Sequence, residues 1–397
     1  MNQKQLQSEF PISIRQSPSA LLKNYVRYDI EFTSGKGAYL FDNSGNTYLD
    51  FLSGIAVTGF GHGHPAIQRA AAEQLKKIWH TSNLFQSTGQ EELARKLVEH
   101  SGLDYVFFCN SGTEANEAAI KFVRKWGKDR STIITALNGF HGRTMGSLSA
   151  SGQYKLWEGF FPLTPGFRYV PYDDIEAIEN SIDQDTAAIM IEPIQGESGI
   201  IVPSKGYLEK LREICDNYNL LLVVDEVQTG MGRTGMIFAY QWEEIKPDII
   251  TIAKSIANGL PLGAVICSDD IAGNINPGSH GSTFGGNPVA VAAANTVTDL
   301  ITDDQLDHNF RTGEKIMKEI RKINHQQIKD VRGKGLMIGV EFYEHVNAKE
   351  IALQLLKEYV VVGTSGEKVI RILPPYVITE TEIEKFLDVF KKVLYGI

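Results

Sequence analysis

The chain has 397 residues, of which 43% are hydrophobic and 22% are charged. At roughly 150 residues per domain, this length predicts two or three domains, with a core that needs no disulfide or metal for stability. Lys and Arg number 39 against 48 Asp and Glu, a net charge of −9 without any basic run. Nucleic acid and anionic membranes are therefore poor candidates for the main partner.

The sequence predicts neither a membrane span nor a secretory signal. The longest apolar stretches, such as 220–224, are far shorter than the ~20 residues that a bilayer requires. Residues 1–16 contain no apolar block of the kind that a secretory signal needs. The three cysteines are an odd number without metal-ligand spacing, so neither a disulfide framework nor a metal site is predicted. We therefore expect a cytoplasmic enzyme.

Residues 1–56 are predicted to form an arm that belongs in part to a smaller domain. A polar leader precedes short alternating segments at 37–42 and 47–50. Between them, Asn43-Ser44-Gly45 is typical of a turn that joins two strands.

Residues 57–293 are predicted to form a large α/β domain. Seven short apolar runs, most of them separated by helical-length stretches, indicate a mainly parallel sheet covered on both faces. These runs are 105–110, 132–137, 167–170, 187–192, 220–225, 248–253 and 262–267. The last two runs are joined by a segment too short for a crossover helix, so the final strand is predicted to be antiparallel.

Residues 294–397 are predicted to form a smaller α+β domain. Its strands are expected at 335–342 and 368–373, and an amphipathic helix at 380–394. No linker rich in Pro, Gly or Ser separates the parts, so we expect the domains to pack closely.

The chemistry is expected beyond the carboxyl ends of the strands, where open α/β sheets bind ligands. The first predicted strand delivers Ser111-Gly112-Thr113, which opens a helix. Free N–H groups at a helix start favour an anion such as phosphate, although an ordinary N-cap without a ligand is the alternative. No Walker motif is present and no G-x-G-x-x-G follows a strand, which leaves nucleotide binding with little support.

Asp225 and Lys254 end two further predicted strands. A buried carboxylate needs a partner, either a structural ion pair or cap, or the protonated ring nitrogen of a cofactor. Burial lowers the pKa of a lysine and suits it to Schiff-base chemistry, while a surface lysine is the alternative. An anion loop, a carboxylate and an amine together form the set that pyridoxal phosphate requires.

Five motifs carry a family resemblance. They are NSGTEANEAAIK at 110–121, FHGRT at 140–144, EPIQGE at 192–197, DEVQTGMGRTG at 225–235 and HGSTFGGNP at 280–288. From about Tyr25 to Ile378, the chain resembles the class III (ω-amine) aminotransferases of the fold-type-I pyridoxal-phosphate family, most closely its acetylornithine branch. One departure is Ser-Ile-Ala-Asn-Gly at 255–259, where relatives usually have a glycine-rich run; we expect it to stiffen that loop.

The resemblance implies pyridoxal phosphate as the cofactor. Lys254 would hold it covalently and then shuttle the substrate proton, and Asp225 would keep the ring nitrogen protonated. Gln228 would hydrogen-bond near the ring hydroxyl, and Phe140 would stack on the ring, its alternative being a core aromatic. The phosphate would be bound by the loop residues Ser111, Gly112 and Thr113.

The resemblance also implies a homodimer with shared active sites. Thr283 would reach the phosphate in the neighbouring subunit, and Ser282 would lie near that subunit's substrate.

Two arginines would serve two substrates in turn. Arg143 would bind the distant carboxylate that the terminal-amine donor shares with glutamate, and Arg371 the carboxylate that only glutamate carries. Glu197 would pair with Arg371 until glutamate displaces it, because a buried unpaired guanidinium is costly. For Arg371, a domain-interface ion pair is the alternative.

The choice of donor rests on few positions. Tyr25 resembles a substrate-facing tyrosine, with a packed aromatic as the alternative, and Ile55 stands where ornithine enzymes resemble one another in carrying tyrosine. Ile55 favours N-acetylornithine as the donor. The resemblance implies 2-oxoglutarate as the acceptor and a role in arginine biosynthesis. Alternatives are ornithine, N-succinylornithine, succinyldiaminopimelate and 4-aminobutyrate as donors. Outside the family, a non-catalytic pyridoxal-phosphate-binding homologue and a nucleotide-dependent oxidoreductase are the other hypotheses.

Overall fold

The computed structural model describes residues 20–396. The polar leader of the predicted arm and residue 397 lie outside these residues. The arm continues with three antiparallel strands, β1 (Phe32–Lys36), β2 (Tyr39–Asp42) and β3 (Thr47–Asp50). The predicted turn at Asn43-Ser44-Gly45 joins β2 to β3, and the Asp42 carboxylate accepts the N–H groups of Ser44 and Asn46 within it.

The large sheet has seven strands, one at each predicted apolar run. They are β4 (Tyr105–Cys109), β5 (Thr132–Ala136), β6 (Phe167–Val170), β7 (Thr186–Ile191), β8 (Leu221–Asp225), β9 (Ile249–Ile252) and β10 (Gly263–Cys267). Their order is β4-β10-β9-β8-β7-β5-β6, and β10 alone runs in the direction opposite to the other six. The mainly parallel sheet and the reversed last strand are thus confirmed. Every residue of β5, β7, β8, β9 and β10 is buried, as expected of a sheet covered on both faces.

Helices surround this sheet and extend into the C-terminal part. The longer ones are Pro65–Leu75, Thr88–Ser101, Gly112–Gly127, Tyr207–Tyr218, Pro288–Leu300, Asp303–Ile323, Ala348–Lys357 and Glu380–Tyr395. The short ones are Ser53–Ala56, Met145–Ala150, Tyr154–Trp157, Ile175–Asn180 and Asp269–Ala272, with 3₁₀ turns at Ala239–Glu243 and Lys254–Ala257. Within residues 20–396, no helix combines the length and apolar character needed to cross a bilayer.

The C-terminal part adds β11 (Ile328–Lys334), β12 (Met337–Phe342), β13 (Val360–Val361), β14 (Gly363–Ser365) and β15 (Val369–Ile372). Four of them form an antiparallel sheet in the order β11-β12-β15-β14. The short β13 instead pairs in parallel with β3, so the arm shares a sheet with the C-terminal part. The predicted limit at residue 293 falls inside helix Pro288–Leu300, and the domain boundaries remain predictions.

The C-terminal part packs directly against the large-sheet part. Arg233 is fully buried between them, and its guanidinium donates to the carbonyls of Leu336 and Pro374. This packing brings Arg371, on β15, towards the edge of the large sheet at which β8 and β9 end.

Candidate active site

A cavity of about 400 Å³ opens where the carboxyl ends of β4, β8 and β9 meet. Parallel strands end at the same edge of a sheet, which is why residues far apart in sequence gather there. Among the predicted site residues, those lining the cavity are Ser111, Gly112, Thr113, Phe140, Arg143, Asp225, Gln228 and Lys254. The three strand-end features singled out in the sequence therefore face one space.

The Asp225 side chain is held by hydrogen bonds on both oxygens. Its Oδ2 accepts from Asn116 Nδ2 and His141 Nδ1, each at 2.7 Å, and its Oδ1 accepts from the Val227 N–H at 3.0 Å. Burial alone would lower the pKa of His141, but the hydrogen bond and charge of Asp225 raise it. Asp225 is 3% exposed and is thus a buried carboxylate with a histidine partner, still facing the cavity.

Lys254 begins a 3₁₀ turn directly after β9, with a left-handed φ of 51° that is unusual for a residue other than glycine. No residue between 20 and 396 forms a hydrogen bond to its Nζ. Burial lowers the pKa of this amine, and the charges of Glu197 and Asp225 oppose that effect only in part. The neutral, nucleophilic form is consequently more available than in a free lysine.

The 111–113 loop is both a helix cap and a cavity wall. Ser111 Oγ accepts the N–H of Glu114 at 3.3 Å, which makes Ser111 the N-cap of helix Gly112–Gly127. The N–H groups of Gly112 and Thr113 have no acceptor within the helix, because first-turn donors lie ahead of its carbonyls. A Cβ on Gly112 would come within 2.7 Å of Val227 Cγ1, so no larger residue fits there without displacing Val227.

The predicted pair of Arg371 and Glu197 is present in the structure. Arg371 is 3% exposed, and its Nη1 donates to Glu197 Oε1 at 2.5 Å. Gln228 joins them: its Nε2 donates to Glu197 at 3.3 Å, and its Oε1 accepts from Arg371 at 3.4 Å. Burial would raise the pKa of Glu197, but the charge and hydrogen bond of Arg371 lower it, which favours the carboxylate form of Glu197.

The remaining predicted site residues do not lie together at one place. Arg143 lines the cavity with its guanidinium carbon 5.7 Å from the centre of the Phe140 ring. Ser282 Oγ accepts from Asn110 Nδ2 at 3.0 Å, and Thr283 is exposed. Tyr25 is 69% exposed and is not among the cavity-lining residues. Substrate contact by Tyr25, and contact between subunits by Ser282 and Thr283, remain predictions.

Three residues that the sequence analysis did not single out complete the site. His141 and Asn116 hold Asp225, and Glu192 lies in the cavity wall, where it accepts the N–H groups of Phe140 and Gly196. Burial raises the pKa of Glu192 to about 7, and the charge of His141 counteracts this only partly. All three lie within the family motifs, so membership of a motif was the signal in the sequence that could have identified them as site residues.

Residues 20–396 contain no group of three or more His, Cys, Asp or Glu placed to hold a metal ion.

Comparisons of the sequence with known proteins agree with this geometry. The model of the family described as aminotransferase class-III matches residues 22–394. An acetylornithine aminotransferase from Bacillus cereus is 45% identical over 379 residues, covering 95% of this chain and 97% of that protein. Another from Methanocaldococcus jannaschii is 43% identical over 383 residues, covering 94% and 95%.

Solved structures show the same fold. The ornithine aminotransferase from Toxoplasma gondii has a TM-score of 0.91 at 34% identity, covering 95% of this chain and 93% of that one. The N-acetylornithine aminotransferase from Stenotrophomonas maltophilia has a TM-score of 0.82 at 34% identity, covering 93% and 96%. The cavity, the family match and these relatives agree, and the chain belongs to the class-III aminotransferases.

Proposed function

We propose that this aminotransferase uses pyridoxal 5'-phosphate to move the terminal amino group of N²-acetyl-L-ornithine to 2-oxoglutarate, forming N-acetylglutamate 5-semialdehyde and glutamate. The observation that carries the proposal is the convergence of the 111–113 loop, Asp225 and Lys254 on one cavity, beside the pair of Arg371 and Glu197. The donor is supported by relatives 43–45% identical over most of the chain that bear the name acetylornithine aminotransferase.

The residues present fit the cofactor. The first turn of helix Gly112–Gly127 offers N–H donors for a phosphate, Asp225 offers a buried carboxylate for a ring nitrogen, and Lys254 offers an amine for an aldehyde. Phe140 and Val227 line the cavity as apolar walls for a flat ring. When bound, pyridoxal phosphate supplies a carbonyl that takes up the amino group and a ring that stabilises negative charge on the substrate carbon.

The protein's own residues would then act as follows. Lys254 Nζ would hold the cofactor through its aldehyde and would also take up the proton of the substrate carbon that bears the amine, a role that a depressed pKa favours. Asp225 would hold a proton on the ring nitrogen, because its buried carboxyl group is fixed by hydrogen bonds on both oxygens and faces the cavity. Gln228 lines the same cavity and orients Glu197 and Arg371.

Arg143 and Arg371 would distinguish the donor amine from glutamate. Arg143 lines the cavity, and its guanidinium would bind the carboxylate that both substrates carry far from the reacting carbon. Arg371 would bind the second carboxylate of glutamate after Glu197 has moved away. With the donor bound, Glu197 stays on Arg371 and neutralises it.

The experiment that tests the donor is a panel of amines on the purified protein. N-acetylornithine, ornithine, N-succinylornithine and 4-aminobutyrate are each offered, and the cofactor's absorbance reports whether the amino group is taken up. We expect N-acetylornithine to react with the highest kcat/KM. A strong preference for free ornithine would overturn this donor, and no uptake from any amine would support a non-catalytic homologue.

Ornithine aminotransferase is the second candidate. Its supporting observation is the TM-score of 0.91 to the enzyme from Toxoplasma gondii. Both solved enzymes are 34% identical to this chain, so sequence identity to them does not separate the two donors. The amine panel separates them directly.

We also propose a homodimer. Four large apolar side chains are 60–87% exposed and form an apolar patch, defined as Trp79, Leu84, Phe85 and Phe284. Asn83 ties its two segments together by donating to the carbonyls of Ser282 and Gly285, each at 3.1 Å. Exposed apolar patches mark protein–protein contacts, and a second copy here would carry the exposed Thr283 into an interface. Light scattering is expected to give twice the 44.0 kDa chain mass, and a monomer would contradict the proposal.

A further inference from the structure

Hydrogen bonds join the turn that carries Lys254 to the 56–61 segment, which lies almost two hundred residues earlier in the sequence. Ser255 Oγ donates to the Ala56 carbonyl at 2.6 Å. The side-chain amide of Asn258 makes two bonds there, accepting the Phe60 N–H at 2.8 Å and donating to the Gly61 carbonyl at 3.0 Å. We call these three hydrogen bonds the lysine-turn clamp.

The clamp satisfies backbone groups of a segment that lies largely inside the protein. Ala56 and Phe60 are 1% and 3% exposed, and a buried backbone group without a partner is costly. The turn and the segment also touch closely: a Cβ on Gly59 would lie 3.2 Å from Ser255 Oγ and 2.7 Å from the Tyr376 ring. The Tyr376 hydroxyl supports the same place from the C-terminal part, 3.4 Å from Ser255 Oγ.

The clamped segment forms part of the cavity. Val57 lines it together with Lys254, Gly259 and Leu260, which belong to or follow the lysine turn. Bonds made through Ser255 and Asn258 therefore join the turn that carries Lys254 to the segment that carries Val57.

We propose that Asn258 and Ser255 are positioning residues that hold the Val57 wall at a fixed place relative to Lys254, and that the donor amine depends on this wall more than glutamate does. The proposal rests on the proposed function. Glutamate would be held by two guanidinium groups, whereas the donor has no carboxylate for Arg371 and relies more on packing against the cavity wall. Loosening the wall should thus weaken the donor complex selectively.

Asn258→Gly tests this with little backbone strain. Asn258 has a left-handed φ of 47°, which glycine adopts readily, so the substitution removes the amide and keeps the turn. We expect the KM for the donor to rise about tenfold, the size expected for two lost hydrogen bonds, with kcat and the glutamate half-reaction changed less than about twofold. Amide hydrogen exchange in residues 56–61 should become faster. Ser255→Ala should shift the donor KM in the same direction.

Asn324→Gly is the matched control. Asn324 also has a φ of 47°, caps helix Asp303–Ile323 and is exposed, so its replacement reproduces the backbone effect far from the cavity. Equal losses for donor and glutamate in Asn258→Gly, or a donor KM unchanged in both Asn258→Gly and Ser255→Ala, would overturn the proposal. If the unaltered enzyme does not use the donor, the proposed function fails, while exchange in 56–61 still tests the clamp: unchanged exchange in Asn258→Gly would show that it does not hold the segment.

Discussion

Lys254→Ala is expected to lower the rate of amino-group transfer by about 10⁴-fold, the upper range for removing a group that transfers a proton in the transition state. The same substitution removes the amine that would hold the cofactor covalently, so the absorbance of the purified protein should change as well. The fold should survive, because alanine occupies the left-handed φ of 51° no less readily than lysine and no hydrogen bond to Nζ is lost. Half-reactions with the donor and with glutamate are the measurement, together with urea unfolding.

Lys246→Ala is the matched control for this variant. Lys246 is exposed and lies near the opposite end of β9. Lys246→Ala therefore removes a lysine beside the same strand, but at the end away from Lys254. It should leave both half-reactions unchanged. A Lys254→Ala protein that retained more than about a hundredth of the rate would contradict the assignment, since general acid–base groups contribute at least that much.

Glu197→Ala is expected to impair the donor half-reaction about thirtyfold and to leave the glutamate half-reaction unchanged or improved. Without Glu197, Arg371 is a buried cation, and the entering donor would close over it without offering a carboxylate. Truncating one partner of a buried, hydrogen-bonded charge pair costs ~2 kcal/mol or more, which corresponds to this factor. Glutamate brings its own carboxylate to Arg371 and no longer has to displace Glu197. Single-turnover kinetics with each substrate measure the split.

Two further variants sharpen the test of Glu197. Glu197→Gln retains an acceptor for Arg371 but no charge, and should fall between the unaltered protein and Glu197→Ala. Glu344→Ala removes a carboxylate that is 91% exposed and should change neither half-reaction. Equal losses of both half-reactions in Glu197→Ala would refute a switching role and favour a structural ion pair.

Much of the fold follows from local patterns. The seven strands of the large sheet, the turn before β3 and the helix at Glu380–Tyr395 lie where apolar runs, turn residues and amphipathic spacing predict them. Four strands were not singled out, β1, β11, β13 and β14. The first two are mostly exposed or half-buried and carry Gly, Lys or Asp, so their side chains show little of the apolar pattern by which a strand is identified. The other two are only two and three residues long, too short for a pattern to appear.

The sequence by itself determined which residues end the central strands, and hence that Asp225, Lys254 and the 111–113 loop would gather at one edge, because the direction of parallel strands places their carboxyl ends together. The tertiary structure decided which groups touch. His141 reaches Asp225 across 84 residues, Arg371 reaches Glu197 across 174, and Ser255 reaches Ala56 across 199. These contacts depend on the order of strands and on the packing of the C-terminal part. Neither the strand order nor this packing produces a periodic pattern in the sequence. Such a pattern shows only which side of its own helix or strand a residue occupies.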